Sequence, residues 1–267
     1  MNQVDIKRTV VLALPPAMGF LLGITGVHHW IPLRFLLLLI GFMLLYAGLD
    51  LFNRRSTRID DSGAWIDRRR FLAYLLMAAV LLMAPFRVDT VGCFFVVCAL
   101  VFLYDNHFTR MKYTPVVSTL VFFLINLAAF SLGFSAAGGL NVAGVMLGIF
   151  FAAIYAAGQL NGELIQFDHD SEQGKKTNVA AFGADRVMNF VLMTFSGATI
   201  YLLILSLAGL IRYRYSLPFV VASALVIAFV FYRKKQSDPQ SAIELQVLYR
   251  VAFAIAGLVY LVVRFLD

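Results

Sequence analysis

This sequence is short of charge. Asp, Glu, Lys and Arg make up 14% of its 267 residues while apolar residues make up 61%, against about 25% and about 45–50% in an ordinary soluble domain. The mean hydropathy is +0.83. A chain so poor in ionic groups cannot clothe a water-soluble surface, which leaves an integral membrane protein. Cysteine is scarcer still. Cys93 and Cys98 both fall in one apolar run, where buried small hydrophobes are expected and a disulfide or metal pair is not. No polar stretch exceeds about twenty residues, so there is no room for an extramembrane domain, and the whole chain, 1–267, reads as a single transmembrane helical domain. The excess of 22 basic over 15 acidic residues sits in a few connections. It is topology signal rather than a nucleic-acid footprint.

What the sequence does have is length for about nine spans of roughly 20 residues. The apolar runs predict helices over roughly 9–27, 32–53, 70–86, 90–105, 115–134, 140–162, 187–210, 216–232 and 246–265. Basic residues alternate between the connections. Lys7 and Arg8 precede the first span, which is expected to be retained rather than cleaved. Arg54, Arg55, Arg58 and Arg68 to Arg70 follow the second, Arg110 and Lys112 the fourth, Lys175, Lys176 and Arg186 the sixth, and Arg233 to Lys235 the eighth. The opposite loops carry only Arg34, Arg87, Arg212 and Arg214. The positive-inside rule then predicts a cytoplasmic N-terminus and, with nine spans, a C-terminus outside. The long connections after the second and sixth spans resemble each other and lie four helices apart, as a duplicated unit would place them.

Chemistry concentrates after the sixth span, in Gln159-Leu-Asn-Gly-Glu-Leu-Ile-Gln-Phe-Asp-His-Asp-Ser-Glu-Gln-Gly-Lys-Lys-Thr177. Carboxylates at the mouth of a membrane helix are functional candidates by default. Acids followed by lysines suit a divalent cation and the phosphates it bridges, although a solvated loop of mixed charge would look similar. On an unbroken helix Glu163, Gln166 and Asp170 share one face and Asp168 points away from it. Gln159 and Asn161 add polar groups at a depth where lipid would demand apolar ones. Asp50 and Asn53 form a counterpart at the end of the second span, followed by Thr57, Arg58, Asp60 and Asp61. A third segment, Tyr104 to Pro115, offers the Tyr104 hydroxyl and the cations Arg110 and Lys112. Asn126, deep in the fifth span, suits a helix–helix hydrogen bond or a cavity contact equally. His28 and His29, and likewise Arg212 and Arg214, are expected at the opposite interface, the arginines against lipid headgroups.

These segments resemble the UbiA-type intramembrane prenyltransferases over most of the chain. The resemblance is carried by Gln166-Phe-Asp-His-Asp170, by the turn Gly174-Lys-Lys-Thr177 with Gly183 before the next helix, and by the tyrosine-plus-basic link from Tyr104 to Tyr113. The family has two aspartate-rich motifs. Here the first aspartate of the second motif is Gln166, and of the first motif only Asp50 survives as an acid, in Leu49-Asp50-Leu-Phe-Asn53-Arg-Arg-Ser-Thr57.

The resemblance implies an all-α polytopic bundle of nine transmembrane helices around a central cavity open to the cytoplasm, in a membrane expected to be the bacterial plasma membrane. It implies transfer of an isoprenyl group from an isoprenyl diphosphate to a lipophilic or aromatic acceptor. Mg2+ would be held by Asp50, Glu163 and Asp170, with Lys112 joining Asp50 and Asp170 in catalysis. Asn53, Arg58, Tyr104, Arg110, Asn126, Asn161, Glu163, Gln166, Lys175 and Lys176 would form the substrate-binding set. Two rivals are a terpene cyclase of the same fold, which needs no acceptor, and a non-catalytic lipid-binding scaffold that kept the fold. A transporter fits less well, because the charges cluster at one face rather than at mid-depth.

Overall fold

The computed structural model describes residues 13–24, 31–55, 73–81, 87–105, 111–172, 174–233 and 239–266, with backbone alone at 31–32, 49–55, 105, 233, 239 and 265. Every regular element among them is helical. In chain order these are α1 (Leu14–Gly23), α2 (Ile31–Arg55), α3 (73–81) and α4 (Val88–Asp105), then a short 3-10 turn (Met111–Tyr113). After it come α5 (Val117–Gly138), α6 (Val142–Ile165), the short α7 (Phe167–Glu172) and α8 (Asn178–Phe182), and finally α9 (Ala184–Leu207), α10 (Tyr213–Arg233) and α11 (Pro239–Leu266). Each expected span overlaps one of these helices. Five of them, α5, α6, α9, α10 and α11, are long and apolar enough to cross a membrane. The ends differ from expectation where the helix outlasts the strongly apolar run. α5 runs to Gly138 and α11 begins at Pro239, because backbone hydrogen bonding does not stop where the apolar run does.

The chain divides into two compact units. One comprises residues 1–111 and 124–148, the other 112–123 and 149–267. In the first, α1 opens with Pro15 and Pro16 in its first turn, where a missing N–H leaves no partner unsatisfied. α1 then lies directly against α5. A Cβ at Gly19 would strike the Phe130 carbonyl, and one at Gly133 would strike the Pro16 carbonyl. Small residues let membrane helices approach this closely. Around the crossing, Phe20, Phe42 and Phe130 are fully buried, and the Phe20 and Phe35 rings lie 5.4 Å apart. The Thr90 and Ser135 hydroxyls meet at 3.0 Å between α4 and α5, which satisfies two buried polar groups at once. Cys93 and Cys98 are free thiols on α4.

The second unit is held by aromatic rings. Phe150 and Phe151 of α6 meet Phe219 of α10 at centroid distances of 6.2 and 5.1 Å. Phe253 of α11 lies 6.3 Å from Phe150 and 6.5 Å from Phe195 of α9. Such pairs add roughly 0.5–1.5 kcal/mol each beyond the area they bury. The outward faces are apolar as well: Leu207, Met193 and Val262 are all exposed. A row of exposed large hydrophobics along each long helix is what lipid requires and water does not tolerate.

Candidate active site

The polar end of α6 does not continue as one helix. α6 stops at Ile165, Gln166 occupies a turn, and α7 restarts at Phe167. The Asp170 N–H still donates to the Gln166 carbonyl at 2.9 Å, so the break is a kink rather than a departure. Asp170 is buried while Gln166, Asp168 and His169 are exposed. The Gln166 N–H likewise donates to the Gly162 carbonyl at 3.1 Å, so the helical register expected for Glu163, Gln166 and Asp170 runs on through the turn. Burial further separates Asp170 from Asp168.

Asp170 is held in place by the turn that follows. Gly174 takes φ 64° and donates its N–H to Ser171 at 3.0 Å. A residue with a Cβ would be strained in this left-handed conformation. The turn brings Lys175 back so that its N–H reaches the Asp170 carbonyl at 3.0 Å and its ammonium Nζ reaches Asp170 Oδ1 at 2.7 Å. The carboxylate keeps only 10% of its exposure, so it is a sheltered anion with a cation already beside it. Thr177 then caps α8, its hydroxyl accepting the Ala180 N–H at 3.3 Å.

Glu163, expected as a metal ligand, lies among amide donors. Its carboxylate accepts the Asn178 backbone N–H at 2.8 Å and the Asn178 side-chain amide at 3.0 and 3.1 Å. It also accepts Gln159 Nε2 at 3.3 Å. A carboxylate so provided with N–H donors braces the start of α8 against α6. Asn161 is fully buried and donates to the Ala242 carbonyl at 2.9 Å, which ties α6 to α11. Its Oδ1 is buried without a hydrogen-bond partner.

Lys112 lies half-buried in the 3-10 turn, 6.0 Å from the Tyr113 ring centroid. Lys175 is half-buried and Lys176 exposed. Tyr104 and Asn126 are both buried, on α4 and α5. Asp50 and Asn53 belong to the last turns of α2 by their backbone, and their side chains lie outside the described residues, as do Arg58, Asp60, Asp61 and Arg110. One residue of the site escaped sequence reasoning altogether. Asn178 is buried and contacts both Glu163 and the segment after Lys112. As the first residue of a helix after Gly-x-x-Thr it gives no sign of partners so far away in sequence.

Among the described residues no three His, Cys, Asp or Glu side chains are grouped to hold a metal ion. Asp170 nonetheless suits one. Its oxygen is hard, sheltered, and already carries an ammonium at 2.7 Å in a cation's place. Mg2+ commonly takes only one or two protein carboxylates, with phosphates and waters completing its shell.

A profile of the UbiA prenyltransferase family matches residues 67–258. Solved structures agree on the fold. One, from work on digeranylgeranylglyceryl phosphate synthase in membranes, is 14% identical with TM-score 0.72, covering 96% of this chain and 94% of that one. A UbiA homologue from Archaeoglobus fulgidus bound to GPP and Mg2+ is 17% identical with TM-score 0.64, covering 95% and 96%. A homologue from Aeropyrum pernix K1 is 14% identical with TM-score 0.58, covering 95% and 99%. No curated protein matches the chain. With a family profile matched over residues 67–258 and five helices among the described residues long and apolar enough to cross a membrane, this chain is an integral membrane protein belonging to the UbiA prenyltransferase family.

Proposed function

We propose that this protein transfers an isoprenyl group from an isoprenyl diphosphate to a lipophilic or aromatic acceptor. The observation that carries the reading is the buried Asp170 carboxylate held 2.7 Å from the Lys175 ammonium, in a family whose Archaeoglobus member is known bound to GPP and Mg2+. In the reaction, the bond between the allylic carbon and the diphosphate oxygen breaks, and its electron pair leaves on the diphosphate. An electron pair of the acceptor forms the new carbon bond, and the acceptor releases a proton. Lys175 and Lys112, with Arg110, neutralise the charge gathering on the leaving diphosphate, which is where preorganised electrostatics lower such a barrier most. Asp50 and Asp170, supported by the Asn53 amide oxygen, are the residues that would hold Mg2+. When bound, the ion polarises the diphosphate as a Lewis acid. Arg58, Tyr104, Asn126, Asn161, Gln166 and Lys176 belong to the substrate-binding set in this reading.

A second reading is favoured by one observation. The first motif retains a single acid, Asp50, as a non-catalytic lipid-binding subunit would allow. Turnover decides between them. Purified protein in lipid nanodiscs is incubated with a panel of isoprenyl diphosphates and Mg2+, with and without quinone-type and phenolic acceptors, and the lipid products are mass-analysed. Acceptor-dependent prenylated product supports the proposal. Cyclised product without acceptor makes the protein a terpene cyclase, and binding without consumption makes it a scaffold.

The basic connections support an N-terminus in the cytoplasm, a C-terminus outside and nine crossings of a bacterial plasma membrane. Reporter fusions after Arg58 and after Lys176 should both read as cytoplasmic, and an external signal from either overturns this topology.

A further inference from the structure

Asn178 closes three distant pieces of chain with one buried carboxamide. Its Oδ1 accepts the Val116 N–H at 2.7 Å, across 62 residues of sequence. Its Nδ2 donates to Glu163 at 3.0 and 3.1 Å, to Thr119 Oγ1 at 3.1 Å and, more weakly, to Ser118 Oγ at 3.5 Å. Its backbone N–H donates to Glu163 Oε2 at 2.8 Å. The orientation of the amide is fixed by chemistry. A flipped amide would set NH2 against the Val116 N–H and a carbonyl oxygen against the Glu163 carboxylate, losing both contacts.

The contact with Val116 is also made at a disfavoured backbone. Val116 has φ 65°, the one non-glycine residue with positive φ among the described residues. A β-branched residue enters that region only when its surroundings hold it there. Asn178 supplies the hold. The two segments so joined are those that bear the cations: Lys112 lies four residues before Val116, and Lys175 three residues before Asn178.

We propose that Asn178, anchored by Glu163, is a positioning residue that fixes the Lys112 segment and the Asp170–Lys175 turn in one register, so that both basic segments meet the diphosphate as a single preformed surface. The inference rests on the isoprenyl diphosphate reading and adds a residue that touches neither substrate nor metal. It also gives Glu163 its role, which is to orient an amide rather than to ligate.

The test uses the full chain in nanodiscs with four variants: Asn178→Ala, Glu163→Gln, Asn178→Asp and the double exchange Glu163→Gln/Asn178→Asp. Two readouts are taken, amide hydrogen exchange over residues 112–119 and KM against kcat for geranyl diphosphate with Mg2+. Asn178→Ala should speed exchange in 112–119 and raise KM by ~10-fold or more, with a smaller fall in kcat, as expected for removal of an orienting partner. Asn178→Asp sets two carboxylates together and should behave as badly. The double exchange moves the charge from 163 to 178, restores a donor–acceptor pair and leaves the Val116 N–H an oxygen, so it should recover most of both readouts. Should Asn178→Ala fail to fold, Glu163→Gln, which keeps one acceptor, carries the test. Unchanged exchange and KM in Asn178→Ala, or a double exchange no better than its parts, overturns the proposal while leaving the functional reading intact. A wild-type protein that neither binds nor consumes isoprenyl diphosphate overturns the functional reading, and the diphosphate part of this proposal with it.

Discussion

Two carboxylates in this protein each reach across the chain to a backbone N–H, and they do so in opposite ways. Asp89, at the start of α4, accepts the Leu140 N–H at 2.7 Å in the turn between α5 and α6. Its other oxygen takes the Arg87 guanidinium at 3.3 Å, and that pair is half open to solvent. Glu163 accepts the Asn178 N–H at 2.8 Å and is surrounded by neutral amides instead of a cation. The first arrangement satisfies its charge locally and fastens a turn. The second carries its charge into a network that ends at the Lys112 segment. A balanced ion pair has nothing left to transmit. A carboxylate balanced only by amides depends on the position of every donor.

The sharpest way to break this contrast is at the neighbouring acid. Asp170→Asn keeps shape and removes charge, so Mg2+-dependent turnover should fall by at least ~10²-fold, about 2.7 kcal/mol of transition-state stabilisation. Asp168→Asn, at an exposed position of the same short helix, should lose on the order of tenfold or less. Equal losses would mean that burial does not separate the two carboxylates, and no loss at either would remove the segment from the mechanism.

Next in size is Asp89→Ala. It strips the Leu140 N–H of its partner and should lower stability by roughly 1–2 kcal/mol, the usual cost of an unsatisfied backbone donor, while KM for the diphosphate stays put. Thermal unfolding in detergent together with steady-state kinetics checks this, and a raised KM would show that the two clasps are not independent.

The smallest effect is expected at Val116→Gly. Glycine accepts φ 65° freely but adds flexibility to the unfolded chain, and the two effects nearly cancel, to within about 0.5 kcal/mol. The same change at Val121, inside α5 and partly buried, should cost about 1 kcal/mol through lost propensity and packing. If both positions lose equally in thermal unfolding, Val116 is not strained.

The helices were legible because an apolar run of twenty residues has few other fates, and the basic connections order them further. Their ends were less so, since polar residues such as Gln240 and Glu244 continue a helix that hydropathy alone would begin later. Asp170 was legible by its helical spacing from Glu163, whereas the turn at Gln166 was not, because a glutamine carries no turn signal and the i to i−4 bonds persist on either side of it. Arg87 read as a stray cation among loops otherwise poor in them, and its reason is Asp89, two residues on, with Gly139 (φ 97°) packed against the guanidinium. Asn178 was illegible. Its importance lies in Val116 and Thr119, and sequence separation conceals such a contact from any local pattern.

The crossing of α1 and α5 has a consequence for how this chain can drift. At Gly19 the space a Cβ needs is filled by Phe130 and Phe134 main chain, and at Gly133 by that of Pro16 and Phe20. A crowded side chain can be trimmed by a second mutation, but a carbonyl is present whatever residue bears it. Neither glycine can therefore be replaced and then rescued by a change in the other helix. The tightest contact in this part of the molecule would leave no correlated substitutions behind, and a map built from covarying positions would pass over it in silence.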